Sequence, residues 1–239
     1  MLTISIVSHG QGKMIGSLLN DLSTINLSKI FIIITINIPE DESFLEGIKF
    51  PIYIVRNKKP KGFGANHNFA ASVYNSIWFA VVNPDIRVKS LDIKQLLKPF
   101  NSHEVAAVAP IVLSNIGNLE DSFRRFPTLF SIIKRIIFRN RNRNTDYPVV
   151  EDFFTVDWVA GMFIVFDTES FKSICGFDER RFFMYLEDVD ICKRLNMNGK
   201  KIIINPKVSV IHNAQRASHK NVKYLWWHTK SMVRFLSGF

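Results

Sequence analysis

Five apolar runs of strand length recur through the first half of the chain, separated by helical or loop segments. They are "LTISIVS" (2–8), "KIFIIITIN" (29–37), "PIYIVRN" (51–57), "IWFAVVNPD" (77–85) and "EVAAVAPIVL" (104–113). Runs this apolar leave no face for water, so each reads as a buried strand. Between the first two, "HGQGKMIGSLLNDL" carries apolar residues at helical spacing. The Gly-rich loop "KPKGFGANHN" runs into a helix through "FAASVYNS". Strands alternating with helices imply parallel pairing, hence an α/β, Rossmann-like, doubly wound sheet with flanking helices. Such sheets bind ligands beyond the carboxyl ends of their strands. Ser8, His9, Asn37, Asn57, Gly64 and Asp85 fall there.

The second half is less regular. Residues 122–148 hold seven Arg or Lys, from Arg124 to Arg143, with no acid until Asp146. Leu129, Phe130, Ile132, Ile133, Ile136 and Ile137 recur among them at helical spacing, as on a membrane-surface helix. "WVAGMFIVF" then reads as a strand, "EDVDICKRLNMNG" as a helix stopped by Gly199, and "KIIINPKVSVIH" as paired strands. The tail, residues 221–239, is an aromatic, basic amphipathic helix whose apolar stripe either packs on the core or meets a membrane. Repeats and low-complexity linkers are absent, and 239 residues suit one decorated α/β domain.

A net charge of +10 favours an anionic partner: nucleic acid, acidic lipid or a phosphorylated substrate. Cys175 and Cys192 stand too isolated for a zinc motif and read as inert thiols. No apolar run reaches the ~18–20 residues of a membrane span. "MLTISIVSHG" lacks the charged and apolar regions of a signal peptide. The expectation is a cytoplasmic protein, or one peripheral on the cytosolic face of a membrane.

Four short stretches carry chemistry. "VVNPDIRV" ends a buried strand with Asp85, either an ordinary turn or a ligand for a hard divalent cation, Mg²⁺ or Mn²⁺. "KGFGANHN" sets Gly62 and Gly64 at a helix start, either a tight turn or a seat for a diphosphate. "VSVIHN" leaves His212 at a strand end, where a lone histidine is more often structural. In "GFDERRFFMYLEDVDICKRL" an apolar run drives straight into Glu187, Asp188 and Asp190. Acids at a helix start are stabilised by its dipole. The apolar lead-in adds a partly closed pocket, where a carboxylate becomes a useful base.

These stretches in this order resemble the family 2 inverting glycosyltransferases of the GT-A fold, with bacterial rhamnosyltransferase-like members nearest. The resemblance rests on "ISIVSH", "RNKKPKGFGANHN", "NPDIR", "WVAGMFIVF", "GFDERRFFMYLEDVDICKRL" and "VIHNAQRASHKN", together spanning roughly residues 3–236. It implies transfer of a sugar from a nucleotide-sugar donor to a saccharide or lipid-linked acceptor, with dTDP-L-rhamnose the first donor to try and UDP- and GDP-sugars open. Residues 1–110 then bind the nucleotide sugar, and 111–220 form a smaller acceptor-side, catalytic region. Asp188 matches the general base, with Glu187 and Asp190 orienting the acceptor or the base. Asp85, with Asn83 beside it, matches the metal and diphosphate site, which His212 completes. Asn83 stands where the commoner motif has an aspartate, so one carboxylate fewer holds the metal. Ser8, Asn37 and the Gly62–Asn68 stretch, with Gly64, Asn66 and Asn68, match the nucleotide site. Trp158 and Gly161 match the sugar and acceptor pocket.

Two rivals are weaker. A nucleotidyltransferase carries a Gly-rich, basic signature after its first strand, where "SHGQGKMIG" has only Lys13. A nucleic-acid-binding module needs cations and stacking aromatics along a groove, whereas these cations concentrate in 124–143 and the tail. An anionic membrane surface is the expected macromolecular partner, and nucleic acid is not.

Overall fold

The computed structural model describes residues 1–128, 146–213 and 222–237. Most of the basic segment expected at a membrane, from Leu129 to Arg143, lies outside the described residues. The elements are β1 (Leu2–Ser8), α1 (Gly12–Leu22), β2 (Ile30–Ile36), β3 (Ile52–Arg56), α2 (Phe63–Val73), β4 (Trp78–Val82), β5 (Ile86–Arg87), α3 (Ile93–Leu97) and β6 (Val105–Ser114). There follow β7 (Phe123–Arg124), β8 (Phe154–Val156), β9 (Trp158–Val159), β10 (Phe163–Asp167), α4 (Thr168–Ser173), α5 (Glu187–Met197), β11 (Lys201–His212) and α6 (Val222–Ser237). One large sheet runs β3-β2-β1-β4-β10-β6-β11-β5, with β8 also on β11.

Strands β3, β2, β1 and β4 pair in parallel, as the alternation of runs requires. The next neighbour is not β6. The antiparallel β10 inserts between β4 and β6, and β11 then pairs parallel to β6. Both halves of the chain thus build one sheet.

The inner strands are buried on both faces, but the edge strand β3, expected to be buried, has no fully buried residue and exposes Tyr53, because only one neighbour covers it. Leu2, Ile4 and Ile6 of β1 meet Ile15, Leu18 and Leu19 of α1 on one side. The other side is rich in phenylalanine: Phe79, Phe166, Phe171 and Phe177 pack with ring centroids 5.2–6.0 Å apart. Each such side chain contributes roughly 1.5–3 kcal/mol on burial. His67 of α2 sits in this layer with Nδ1 2.8 Å from Ser5 Oγ, and burial pushes its pKa down to about 3, so it is a neutral core residue.

Several expectations are corrected. "WVAGMFIVF" is two strands: β9 pairs with β7 in a separate two-stranded sheet, the chain turns at Ala160–Met162, and β10 joins the main sheet. "KIIINPKVSVIH" is one strand with a register shift between Asn205 and Ser209, not a pair. Pro206 cannot donate to a ladder, and Asn205 turns its amide to Gln95 O (2.7 Å) and accepts from Lys207 N–H. The Gly-rich "loop" is already α2 from Phe63. Cys175 is exposed, Cys192 is buried, and both are free. Among the described residues no helix is long and apolar enough to cross a membrane.

Candidate active site

The carboxyl edge begins with a web of asparagines. Asn37, just past β2, is buried; its amide donates to Lys61 O (3.0 Å) and lies 3.2 Å from His9 Nδ1. Its carbonyl accepts from Asn57 Nδ2 (2.9 Å) and Lys61 N–H (2.8 Å). Asn57 also donates to Asn66 Oδ1 (2.6 Å), and Asn66 donates to Gly62 O (3.0 Å). Ser8 Oγ accepts from Gln11 N–H, turning the chain into α1. An aspartate at position 37 could accept but never donate to Lys61 O, so asparagine there joins two loops that an acid would join only by half. Ser8, Asn37 and Asn66 therefore form the floor of the edge, their side chains bonded to protein. His9, Asn57 and Lys61 belong to the same web; a polar residue just after an apolar run was the signal for His9 and Asn57.

Asn68, Gly62 and Gly64, expected at the nucleotide, contact the segment 177–183. Asn68 clips onto Phe177, accepting from its N–H (2.9 Å) and donating to its carbonyl (2.8 Å). A Cβ on Gly64 would stand 2.6 Å from Phe177 Cβ, and one on Gly62 would stand 2.5 Å from Phe183 O. Phe63 N–H donates to Phe183 O (3.0 Å). Gly62 and Gly64 thus let α2 close on the segment 177–183.

Asp85 and His212 come together. The Asn83-Pro84-Asp85 turn ends β4, and β5 pairs Ile86 with His212 of β11. His212 Nε2 lies 3.1 Å from Asp85 Oδ2, and Asn213 N–H donates to Asp85 O (2.8 Å). Arg87 holds this turn in place through two bonds of 2.7 Å to Asp21 of α1. The hydrogen bond to Asp85 raises the His212 pKa, against the opposing effect of burial; the charges of Asp85 and Glu120 add to the rise. Asp85 Oδ1 and His212 Nδ1 are buried without a partner. Such orphaned atoms demand an explanation. A carboxylate and an imidazole with atoms to spare fit a divalent cation whose other ligands are phosphate and water oxygens. Among the described residues no three His, Cys, Asp or Glu cluster as a complete protein cage.

The second carboxylate centre is the start of α5. Tyr185 (φ 70°) and Leu186 (φ 67°) are both left-handed, a conformation costing roughly 1–2 kcal/mol per residue. The cost is met by packing: Phe182, Leu186 and Val189 form a buried cluster with Phe235 of α6. Ser231 Oγ donates to Met184 O (2.9 Å), Arg181 Nη2 donates to Arg234 O (2.8 Å), and Arg234 Nη1 returns a bond to Arg181 O. Thus α6 staples the strained segment from outside.

That segment delivers Glu187 and Asp188 side by side. Asp188 accepts from Gly161 N–H at Oδ2 (3.1 Å) and from Val189 N–H at Oδ1 (2.9 Å). Glu187 is 6% exposed and its Oε2 has no partner. Burial raises both pKa values; for Glu187 the charge of Asp188 adds to the rise, to about 8. Two backbone donors favour the charged form of Asp188, so of the pair Glu187 keeps the proton and Asp188 the charge. The Glu187–Asp188 pair adjoins the Asp85 turn, because Met162 O, next to Gly161, accepts from Asn83 N–H (2.9 Å).

Asp190 does not join this centre. Its carboxylate pairs with Arg194 (2.7 Å) and Arg181 (3.4 Å), and Arg194 reaches on to Ile174 O and Gly176 O. Trp158 donates Nε1–H to Arg125 O (2.9 Å), and its ring packs against the Phe182 cluster. Asp190 and Trp158 therefore brace the segment that carries Glu187 and Asp188. Gly161 contributes its N–H to Asp188.

Residues 3–171 match the family model described as Glycosyl transferase family 2. The chain belongs to that family. It is a glycosyltransferase with the GT-A fold. It is 29% identical to Rhamnosyltransferase WbbL of Escherichia coli K12 over 99% of this chain and 93% of that protein. It is also 29% identical to the N-acetylglucosaminyl-diphospho-decaprenol L-rhamnosyltransferase of Mycobacterium tuberculosis, over 67% of this chain and 55% of that one. Among solved structures it is similar to the mannosyltransferase PcManGT from Pyrobaculum calidifontis, in complex with GDP-Man and Mn²⁺. There the TM-score is 0.66 at 13% identity, covering 98% of this chain and 64% of that one. S. aureus TarS 1–349 in complex with UDP-GlcNAc gives a TM-score of 0.63 at 14% identity, over 91% and 60% of the two chains. The family match ends before α5, so Asp188, His212 and α6 of this glycosyltransferase lie outside it.

Proposed function

We propose that this glycosyltransferase moves L-rhamnose, with inversion, from a nucleotide diphosphate to a hydroxyl of a saccharide or lipid-linked acceptor. The product belongs to a surface polysaccharide such as lipopolysaccharide, assembled at the cytosolic face of the membrane. The observation that carries the reading is Asp188, a carboxylate fixed by two backbone N–H groups beside the buried Glu187. Rhamnose comes from the two relatives whose names state it.

In the reaction Asp188 accepts the proton of the acceptor hydroxyl as its oxygen attacks the anomeric carbon. The bond from that carbon to the diphosphate oxygen breaks, and its electron pair leaves with the nucleoside diphosphate. A positioned base contributes roughly 10²–10⁴-fold. Asp85 and His212 would hold Mg²⁺ or Mn²⁺, which when bound neutralises charge on the departing diphosphate. The asparagine web would fix the loops around the nucleotide.

The test offers dTDP-L-rhamnose, UDP-sugars and GDP-sugars without acceptor and measures nucleoside diphosphate release. Slow release from dTDP-L-rhamnose is expected. Release from another nucleotide sugar alone would replace rhamnose, and release from none would reject the reading.

A further inference from the structure

The charge of the chain is not spread along it. Residues 1–190 contain 21 Lys or Arg and 21 Asp or Glu, and are neutral. Asp190 is the last acid; the 49 residues after it contain 10 Lys or Arg and carry the whole net charge of +10. Helix α6 lies in this stretch, and its two faces differ. Ser231 and Phe235 are buried against the base segment, with Met232 partly so. On the opposite face Trp226 is 57% exposed, Val233 61% and Leu236 39%. The spacing 226, 230, 233 sets Trp226, Lys230 and Val233 on one outward stripe, with Leu236 at its edge. Lys230 Nζ lies 4.7 Å over the Trp226 ring, and Lys193 of α5 stands 4.9 Å from the Phe235 ring beside the helix.

A tryptophan and two aliphatic side chains in water, with Lys230 beside them and no acid after Asp190 in the sequence, suit one solvent boundary. Apolar side chains enter the acyl edge, while ammonium groups meet lipid phosphates. We infer that the outward face of α6 docks the enzyme on an anionic lipid surface. The inner face of the same helix staples the segment that carries Asp188, so docking there sets the catalytic base beside the membrane, where a lipid-linked acceptor is presented. The docking surface stands independently of the donor and acceptor proposed above.

The experiment is co-sedimentation of the full chain with phosphatidylcholine vesicles, with or without phosphatidylglycerol, at low and high salt. Expected is binding to the phosphatidylglycerol vesicles at low salt, lost on neutral vesicles and weakened about tenfold or more at high salt. Trp226→Ser/Val233→Ser/Leu236→Ser is expected to lower partitioning at least about tenfold. Lys230→Glu, a single exposed change that keeps the fold, should lower it several-fold. Absence of binding at low salt, equal binding to neutral vesicles, or binding unchanged in folded variants would overturn the proposal. So would sedimentation equilibrium showing a dimer, without vesicle binding, that the triple variant dissociates, since the face would then belong to a second copy.

Discussion

Glu187 and Asp188 occupy the same helix turn, yet their surroundings treat them differently. Asp188 has two backbone donors and Glu187 Oε2 has none. Asp188→Asn should lower kcat by ~10²–10⁴-fold with donor affinity unchanged, because an amide cannot take the proton. Near-normal kcat in that variant would remove Asp188 from the role. Glu187 gives a prediction of opposite character. Its pKa is raised by burial, then by the charge of Asp188, to about 8. Between the ordinary carboxylate range and that value the folded chain binds a proton that the unfolded chain has released. Stability therefore falls as pH rises through this window, by at most ~1.4 kcal/mol per pH unit. Glu187→Gln should flatten that slope in urea melts taken from pH ~5 to ~8. A slope equal to the parent's would show that Glu187 ionises normally.

At the scale of elements, the strained entry to α5 depends on contacts from two other helices. Removing the Arg234 guanidinium breaks the bond to Arg181 O, and Ser231→Ala frees Met184 O. Arg234→Met/Ser231→Ala should lower kcat about ten- to hundredfold, as small misplacements of a catalytic group do. The KM for donor should hold, and the pH–rate profile should shift as the pair at 187–188 relaxes. If both KM and kcat drop out together with the melting temperature, α6 is only part of the core. From the other side, Gly64→Ala puts a Cβ 2.6 Å from Phe177 Cβ, an atom fixed by backbone. A loss of about 1–3 kcal/mol in denaturant unfolding is expected; an unchanged midpoint would mean that α2 has room to move. These elements also show what a sequence can disclose. Strands β1 to β4 were legible because their apolar runs and intervening helices are local patterns. The insertion of β10 beside β4 was not, since pairing order is a contact between distant residues. Gly62 and Gly64 looked like a phosphate loop because a glycine signals close approach without naming what approaches. Asp190 shared a cluster with Asp188 in sequence, but two residues along a helix turn it nearly to the opposite face, where Arg194 waits.

For the whole molecule, two halves that read separately along the chain meet at one sheet edge, and Asp85 with His212 marks where they join. A residue from the turn before β5 and one from β11 were paired in expectation only through the family resemblance; contact across 127 positions has no local signature. The pair therefore offers a measurement on the intact fold. Each side chain keeps a buried atom without a partner, so a cation bridging protein and diphosphate should gain both ligands at once. A ligand at ~100 times its Kd stabilises the native state by about 2.7 kcal/mol. Thymidine diphosphate with Mn²⁺ should raise the melting temperature by clearly more than either alone, and chelation should abolish the excess. Asp85→Asn removes the charge that attracts the cation, and His212→Ala removes the imidazole. Each should erase the excess while leaving the smaller effect of nucleotide alone, because the asparagine web is intact. An excess that survives in both variants would place the cation on the diphosphate alone. The Asp85–His212 contact would then serve to bind β5 to β11.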